Sequence, residues 1–517
     1  MAKLENVNLS RGVKHVVWVN LSKKPIPTDK PLDEVLRETR RYDLIMVPLE
    51  LGKPDSMWMQ LTPRVIEAVR KLLTGPQHYE AHAGVYVSIN QVYYVRIKGR
   101  APDERLIITN PPEPGQKKGV KQVEAVVEPD LVYPLIKGRD VKKWYIDFKN
   151  RYIIIPHHVS GQPIDHEELK IKYPGVYNYL LEFSNELKRR SIKPFISLRK
   201  MIESGNPDER NKAIKLLGEK FYIVDNIGSY TFKPYKVVWK NIAGAITGKA
   251  EFSCAAITEK IEDPYLGQKI IIPNVKLMLA EVSTPEEAYY LAGVLNSTFV
   301  RSVVASYVIE TGISTHILDV IKVPKFDPSN LTQRRIAELS KNAHELAKCI
   351  HSKIKPSYCN QVVDPFRELK KVEREIEFAV AELFGMSEED LREFEKLMAI
   401  LSGEETQEEP EDVEPVGEPI ITISNTLLQL NTPAQIEIDV TNPQGTMLEI
   451  SYKFPWGSGT FKMVEGKHVI QTPPLKPGKY VGRLEYTLNG VKKSIEVVIE
   501  VQEQTGPKRR RTLQDLG

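Results

Sequence analysis

The residues that first suggest chemistry follow a short apolar run, in the segment RLIITNPPEPG at residues 105–115. An Asn-Pro-Pro sequence at a strand end, followed by an aromatic residue, can bind the exocyclic amine of a base that is flipped out of duplex DNA. The Asn side chain and a proline carbonyl hold the amine, and the aromatic ring stacks on the base. Such a site would serve methyl transfer to that amine, with Asn110 as the residue that holds it.

Two observations favour a structural role for Asn110. Methyl transfer of this kind needs S-adenosylmethionine, which is bound by a glycine-rich turn after the first strand of a doubly wound sheet. Residues 1–109 contain no such turn. The residue after Pro112 is Glu113, which offers no aromatic ring. We therefore predict a strand-to-loop turn here, with a catalytic motif as the alternative.

Two adjacent histidines, His157 and His158, offer a second kind of chemistry after the apolar run RYIIIP. A histidine pair can bind a metal or act as a general base. The Asp and Glu-x-Lys arrangement of a nuclease site is missing around them, and we identify no paired nucleophile and base elsewhere. We predict that the chain catalyses nothing alone and holds no metal.

The three cysteines, Cys254, Cys349 and Cys359, form no Cys-x-x-Cys pair and so do not indicate a structural zinc site. His344 and His351 lie close to two of them in the sequence, but the spacing matches no ligand pattern. We predict helix surface and core positions for this cluster. The cysteine usage fits a reducing compartment.

Length and composition suggest several soluble domains. At 517 residues, with 41% hydrophobic and 27% charged residues, the chain has room for about three domains of about 150 residues. We find no run of about 18 apolar residues and no charged-then-apolar segment at the N-terminus. These features predict a cytoplasmic protein without a membrane span.

Basic charge is concentrated in the first half of the chain. Residues 1–250 contain 42 Lys and Arg against 28 Asp and Glu, although the whole chain has a net charge of only +4. A surface that meets phosphates needs such an excess, although an ordinary solvated surface is also compatible with it.

The elements that would position these residues are short. Strands are predicted at HVVWVNL and DLIMVPL, with a helix at TPRVIEAVRKLL. The region after them lacks the βα alternation of a Rossmann domain. Further strands are predicted at GVYVSINQVYYVRI, RLIIT, RYIIIP, FYIVD, YKVVWK and IIIPNVKLML, and helices at NELKRRSIKPFISLRKMIES and PEEAYYLAGVLNSTFVRSVVAS.

Two helical segments close this region. Residues 330–352 have apolar residues at helical spacing after a capping Asn330, and residues 365–400 repeat the pattern. Gly385 ends one helix of the second segment, and Ser387 begins the next. We expect these helices to pack on their own domain, with dimerisation or a partner as the alternative.

The C-terminal part has a different composition. Residues 401–419 contain eight acidic residues and no Lys or Arg, which indicates a linker. Residues 420–503 contain short runs in which apolar and polar residues alternate, and turn residues separate these runs. This pattern predicts a small immunoglobulin-like β-sandwich. Residues 504–517 form a basic tail.

One block carries a resemblance to a known family. VEAVVEPDLVYPLIKGRDVKKW, at residues 123–144, resembles a block in the target-recognition region of adenine-specific DNA methyltransferases of type II and IIG restriction-modification systems and related phage-defence methylases. That block has a Tyr-Pro-Leu core, then Gly-(Arg/Lys)-Asp, and a Trp shortly after. Similar blocks follow the family's order: YEAHAGVYVSINQVYYVRI, KPYKVVWKNIAG, YYLAGVLNSTFV and ISTHILDVIKVPKFDP.

The likeness covers about residues 78–400 and departs from the family at both ends. It implies a target-recognition domain at 78–328 and a closing helical pair at 329–400. The catalytic half that should precede residue 78 is not in this sequence, so residues 1–77 are a possible remnant or docking element. The overall expectation is an α+β fold followed by the all-β sandwich.

The resemblance implies a sequence-specific DNA-recognition subunit of a restriction-modification or phage-defence system. Its expected partners are double-stranded DNA and a separately encoded methyltransferase or methyltransferase-nuclease. The cofactor S-adenosylmethionine (SAM) would bind to that partner and not to this chain. Neither a membrane nor a small-molecule substrate is expected.

Two groups of residues would meet DNA in such a module. Phosphate contacts give affinity without sequence preference, and forked or amide side chains read base edges. For phosphates we predict Lys137, Arg139, Lys142 and Lys143, with a second basic run at Arg189, Arg190, Arg199 and Lys200. For bases we predict Lys236, Lys240, Asn241, Thr311, Ser314, Thr315 and His316. Trp144 and Trp239 could stack on a displaced base, although burial in the core is the favoured prediction for both tryptophans.

Two other hypotheses remain open at this stage. Residues 1–77 and the Asn-Pro-Pro segment could complete a divergent DNA adenine methyltransferase, which would bind SAM itself. Alternatively, the chain could be an adaptor that binds protein and has no affinity for DNA.

Overall fold

The fold is α+β, with 39% helix and 31% strand. The computed structural model describes residues 12–20, 26, 29–50, 53, 55–112, 120–241, 252–307, 316–403, 420–424, 427–429, 434–441, 448–463, 466–488 and 491–502. The chain divides into two compact units, Met1–Thr406 and Gln407–Gly517. Most of the predicted linker, from residue 404 onward, and the whole predicted basic tail lie outside the described residues.

The first unit contains several small sheets. Three of them have the strand orders β1-β2-β3, β16-β8-β11-β5-β6-β7 and β13-β12-β17-β4, and β9-β10 and β14-β15 form two-stranded pairs. Their strands are β1 (Val13–Asn20), β2 (Thr39–Pro48), β3 (Trp58–Leu61), β4 (His82–Ala83), β5 (Tyr94–Arg100), β6 (Leu106–Thr109), β7 (Glu124–Val127), β8 (Val132–Ile136), β9 (Val141–Lys142), β10 (Tyr145–Ile146), β11 (Tyr152–Ile154), β12 (Lys236–Lys240), β13 (Cys254–Ile257), β14 (Ile261–Asp263), β15 (Gly267–Lys269), β16 (Ile272–Pro273) and β17 (Leu277–Glu281). The six-stranded sheet is antiparallel apart from its β16–β8 pair.

Helices surround these sheets. Over the described residues, each helix is too short or too polar to cross a membrane. The helices are α1 (Leu32–Glu38), α2 (Ile66–Leu73), α3 (Asn90–Tyr93), α4 (His166–Lys172), α5 (Pro174–Leu181), α6 (Ser184–Lys188), α7 (Lys193–Ser204), α8 (Pro207–Glu219), α9 (Pro285–Leu295), α10 (Thr298–Tyr307), α11 (Ile317–Val320), α12 (Leu331–His351), α13 (Pro365–Phe384) and α14 (Glu388–Ser402).

The predicted helix ends in the closing segment are confirmed. Asn330 caps α12 by accepting a hydrogen bond from the Gln333 N–H. Gly385 ends α13 in the left-handed conformation, at φ +61°, which favours glycine. Ser387 caps α14 by accepting from the Asp390 N–H.

Two large hydrophobic cores lie inside the first unit. One surrounds the six-stranded sheet and contains Tyr152, Ile154 and Phe183. The other joins the four-stranded sheet to the closing helices and includes Leu61 from the N-terminal region and Phe394 from α14. The N-terminal region and the last helix therefore share one core.

One predicted strand is absent from the described structure and another is interrupted, for local reasons. Residues 90–93 form the short helix α3, where the buried Gln91 amide bonds both the N–H and the carbonyl of Val120 at 3.0 and 3.1 Å. The segment FYIVD is not a strand, because the Val224 N–H donates to the His157 ring instead of a strand neighbour.

The second unit is a β-sandwich. Buried side chains from its two sheets, such as Ile438 and Ile450, form a common core. The orders β18-β20-β23 and β19-β25-β24-β21-β22 place strands as in the A-B-E and G-F-C sheets of immunoglobulin-like domains. Its strands are β18 (Ile420–Ser424), β19 (Leu427–Gln429), β20 (Gln435–Thr441), β21 (Leu448–Phe454), β22 (Gly457–Met463), β23 (Gly466–Gln471), β24 (Gly478–Leu488) and β25 (Val491–Gln502).

Candidate nucleic-acid interface

A buried ion pair shapes the loop after β8. The chain forms one turn of 3₁₀ helix at Gly138–Asp140, and Asp140 is fully buried. Its carboxylate accepts from the Lys137 N–H at 2.7 Å and pairs with the Arg151 guanidinium. The turn leaves the neighbouring Arg139 exposed.

Three chain segments meet at this loop. The Asn274 N–H donates to the Ile136 carbonyl at 3.0 Å, which fixes the turn between β16 and β17 beside the end of β8. A Cβ atom on Gly138 would lie 3.4 Å from the Lys276 carbonyl oxygen. The same carbonyl accepts from the Asn241 N–H at 2.9 Å, so the end of β12 joins the group.

This arrangement places five cationic residues on neighbouring chain segments, and we name these residues the basic cluster. Its exposed members lie on the loop, on β9 and on the β16–β17 turn, while two members are partly exposed. The members are Lys137, Arg139, Lys142, Lys240 and Lys276. Sequence reasoning missed Lys276, because IIIPNVKLML was predicted as one strand; the polar Asn274 inside it was the available sign of a turn.

The predicted phosphate contact Lys143 and the neighbouring Trp144 both bind an acidic residue of the protein. Lys143 pairs with Glu373 at 2.7 Å and is about three-quarters buried, so its charge is already balanced. Trp144 is 2% exposed, and its indole N–H donates to Glu373 at 2.7 Å. The favoured prediction for Trp144, burial in the core, is therefore confirmed, and its place among the DNA contacts is wrong.

The predicted base contact at Lys236 is also wrong, whereas the favoured burial of Trp239 is confirmed. Lys236 and Trp239 are fully buried, because β12 lies between β13 and β17 and side chains cover both of its faces. The Lys236 Nζ atom donates to the carbonyls of Thr231 and Ile271 at 2.8 and 3.3 Å. Only the end of β12, at Lys240 and Asn241, reaches solvent.

Lys236 provides a pH-dependent prediction about stability. Burial lowers its pKa from 10.5 to about 7. Between these values the unfolded chain binds more protons at this site, so the free energy of unfolding should rise with pH, by at most about 1.4 kcal/mol per pH unit. In denaturant unfolding, the free energy of unfolding should therefore rise more steeply with pH in the parent than in Lys236→Met. Equal slopes would contradict the assignment.

Of the four base contacts predicted around residue 315, the structure describes only His316. Thr311, Ser314 and Thr315 lie outside the described residues. His316 is exposed, and its ring nitrogen lies 3.0 Å from an Asp319 carboxylate oxygen. Among the contacts of the described residues, none joins His316 to the basic cluster.

The Asn110 side chain forms hydrogen bonds with backbone groups, in agreement with the predicted strand-to-loop turn. The residue is fully buried. Its amide donates to the Lys121 carbonyl at 3.0 Å and accepts from the Val123 N–H at 2.6 Å, so both ends of the side chain are used. Residues 113–119 of the loop lie outside the described part of the chain.

Two of the histidines singled out in the sequence, His157 and His344, are structural. Burial lowers the pKa of His157 and of His344 to about 4. Each neutral ring accepts a backbone N–H, from Val224 at 3.1 Å and from Ala256 at 2.9 Å. In the part of the chain that the structure describes, no group of His, Cys, Asp and Glu could hold a metal ion.

Half of the second basic run is structural as well. Arg190 is 3% exposed, and its guanidinium donates to the carbonyls of Val87, Phe221 and Ile223. Arg199 is partly buried and donates to the Arg190 carbonyl at 2.8 Å. These two arginines stabilise the fold and are unavailable to a phosphate.

The cysteines differ from the expectation. Cys349 and Cys359 form a disulfide, a bond that a reducing compartment disfavours, so the cysteines do not support the prediction of such a compartment. Cys254 is a buried free thiol. The disulfide closes a loop beside the basic cluster, because the Lys142 ammonium lies 3.4 Å from the His351 ring nitrogen.

Comparisons with known proteins find little. Neither the protein-family models nor the curated proteins match this chain. Among solved structures, the Pseudomonas fluorescens alkylpurine DNA glycosylase AlkC bound to DNA containing an abasic site analog is similar at 12% identity with a TM-score of 0.12. The match covers 34% of this chain and 50% of that chain, so this chain spans about half the length of that protein. A likeness this weak establishes neither fold nor function.

Proposed function

We propose that this chain is the sequence-specific DNA-recognition subunit of a restriction-modification or phage-defence system. It would act with a separately encoded SAM-dependent adenine methyltransferase. The observation that carries the proposal is the basic cluster, in which segments distant in sequence place five cationic side chains around one loop. That loop lies in the same block that resembles target-recognition domains.

The chemistry of the basic cluster suits a duplex. Lysine and arginine side chains neutralise phosphates and release counterions, which gives affinity and strong salt dependence. The Asn241 amide and the Arg139 guanidinium are able to read base edges, because both can make paired hydrogen bonds with a base. Asp140 and Arg151 balance each other beneath the loop, so the buried acid does not cancel the exposed charge.

The buried Asn110 favours recognition over catalysis for this chain. Its amide is already bonded to the backbone at both ends, so it does not offer a site for a base amine. Methyl transfer is therefore assigned to the partner, together with SAM.

The N-terminal region offers a surface for that partner. Trp18, Leu32 and Leu36 are 49%, 71% and 43% exposed on β1 and α1. In the family that this chain resembles, the catalytic half comes immediately before the recognition region, so its subunit is the occupant that we propose for this surface.

The direct test is a titration of the full chain with random-sequence duplex DNA at two salt concentrations, with labelled SAM in a parallel cell. Salt-sensitive DNA binding without SAM binding is the expected result. SAM binding would instead support a divergent methyltransferase. Absence of DNA binding at low salt would overturn the proposal in favour of an adaptor.

A further inference from the structure

The disulfide loop beside the basic cluster carries an unusual tip. Cys349, near the end of α12, is joined to Cys359 in a short 3₁₀ helix at Ser357–Gln361. Between them lies the sequence Lys353-Ile354-Lys355, in which all three residues are exposed. Ile354 is 88% exposed, although isoleucine is among the residues most often buried.

The loop is held in place by its own bonds. In addition to the disulfide, the Ser352 hydroxyl donates to the Ile354 carbonyl at 2.7 Å, and the Cys359 N–H donates to the Pro356 carbonyl at 3.0 Å. The Ser352 N–H continues α12 by donating to the Lys348 carbonyl at 2.9 Å. Binding through such a loop costs little conformational entropy, because its backbone is already fixed.

The loop is continuous with the basic cluster. His351 precedes it and lies 3.4 Å from the Lys142 ammonium. The His351 ring is also 5.5 Å from the Tyr145 ring, which follows Lys142 across the β9–β10 turn. A duplex bound by Lys142 would therefore have the tip of this loop as its next neighbour.

We infer that the Lys353-Ile354-Lys355 tip is a wedge that inserts into duplex DNA. The two lysines neutralise phosphates on either side of the minor groove, and Ile354 enters between two base pairs and partly unstacks them. Proteins that bend DNA insert apolar side chains in this way, and the distorted step allows more protein surface to contact the duplex. An unstacked step also lowers the free energy needed to extrude a base for modification by a partner.

This inference rests on the proposed function, and its test separates the two. Closed circular plasmid would be relaxed by a topoisomerase in the presence of the full chain, and its linking number would be measured after the protein is removed. A plasmid offers many sequences, so the recognised site need not be known. Insertion of a side chain untwists DNA, so the parent should leave a changed linking number.

The variant Ile354→Ala should abolish this change and bind DNA about tenfold more weakly, because it removes apolar area that would be buried between bases. Leu331→Ala is the matched control: Leu331 is 75% exposed at the opposite end of α12. The 21 residues of this helix place it about 30 Å away. The control should behave like the parent.

Two results would overturn the inference. If Ile354→Ala changes the linking number as the parent does, the wedge is wrong, while salt-sensitive binding would still support the recognition function. If the parent does not bind the plasmid at low salt, both the recognition function and the wedge are wrong. Because Ile354 is exposed, its replacement should leave the melting temperature unchanged, which guards against an effect caused by unfolding.

Discussion

Replacing Arg139, Lys142 and Lys276 together by glutamate should reduce DNA affinity by at least about a hundredfold at low salt, because three phosphates are no longer neutralised and the new carboxylates repel the duplex. These exposed residues come from the loop, β9 and the β16–β17 turn, and each can neutralise a phosphate. The slope of the logarithm of affinity against the logarithm of salt concentration should become shallower by about 0.9 for each phosphate that the variant fails to neutralise. Titrations with random-sequence duplex at several salt concentrations measure both quantities.

The control for this experiment keeps the same change in net charge. Glutamate at Lys453, Lys476 and Lys479, which are exposed in the β-sandwich, changes the charge of the chain equally but leaves the basic cluster intact. Affinity close to that of the parent is expected. Equal reductions in the two variants would mean that overall charge and not the basic cluster governs binding.

Asp140→Ala should destabilise the first unit by about 3–5 kcal/mol, the usual effect of removing one member of a buried ion pair. The remaining Arg151 has only 9% of its side chain exposed and would hold an unbalanced charge. The Lys137 N–H would also be left without this acceptor. Chemical unfolding monitored on the full chain measures the free energy of unfolding.

Two further variants test whether the buried charge is the cause. The double variant Asp140→Leu with Arg151→Met should recover much of the stability, because it removes both charges and keeps apolar volume. Asp103→Ala removes an exposed partner of Arg105 and should change stability by no more than about 1 kcal/mol. A destabilisation of less than about 1 kcal/mol for Asp140→Ala would contradict the role of the pair.

Local chemistry explains which elements could be predicted from the sequence. The caps at Asn330 and Ser387 and the left-handed Gly385 depend on neighbours within a few residues, so the helix ends were predictable. Alternating apolar residues likewise predicted most strands of the sandwich. The strand β22, Gly457–Met463, is an exception, because it begins with Gly-Ser-Gly, a sequence that suggests a turn.

The site was less predictable because burial depends on distant segments. Lys236 and Lys240 are the two ends of the same strand, and the sequence does not distinguish them. The packing of β13 and β17 against β12 buries Lys236 and leaves Lys240 at the surface. The bond between Cys349 and Cys359 requires the chain to turn back after α12, and nothing in the cysteine spacing predicts that turn. Lys276 joins the basic cluster only through its contact with Gly138.

The contacts between the N-terminal region and the closing helices also affect how the chain folds while it is being synthesised. Lys71 donates to the Gly385 carbonyl at 2.5 Å, and Arg64 lies 3.4 Å from Glu393, 329 residues further along. At about 5–20 residues per second, a ribosome needs on the order of 20–60 seconds to make the intervening chain. During that interval the turn Pro63–Val65, which precedes α2, has no native partner from α14. Nascent chains halted before residue 393 should therefore bind chaperones through the segment around the buried Val65, and chains extended beyond the closing helices should release them.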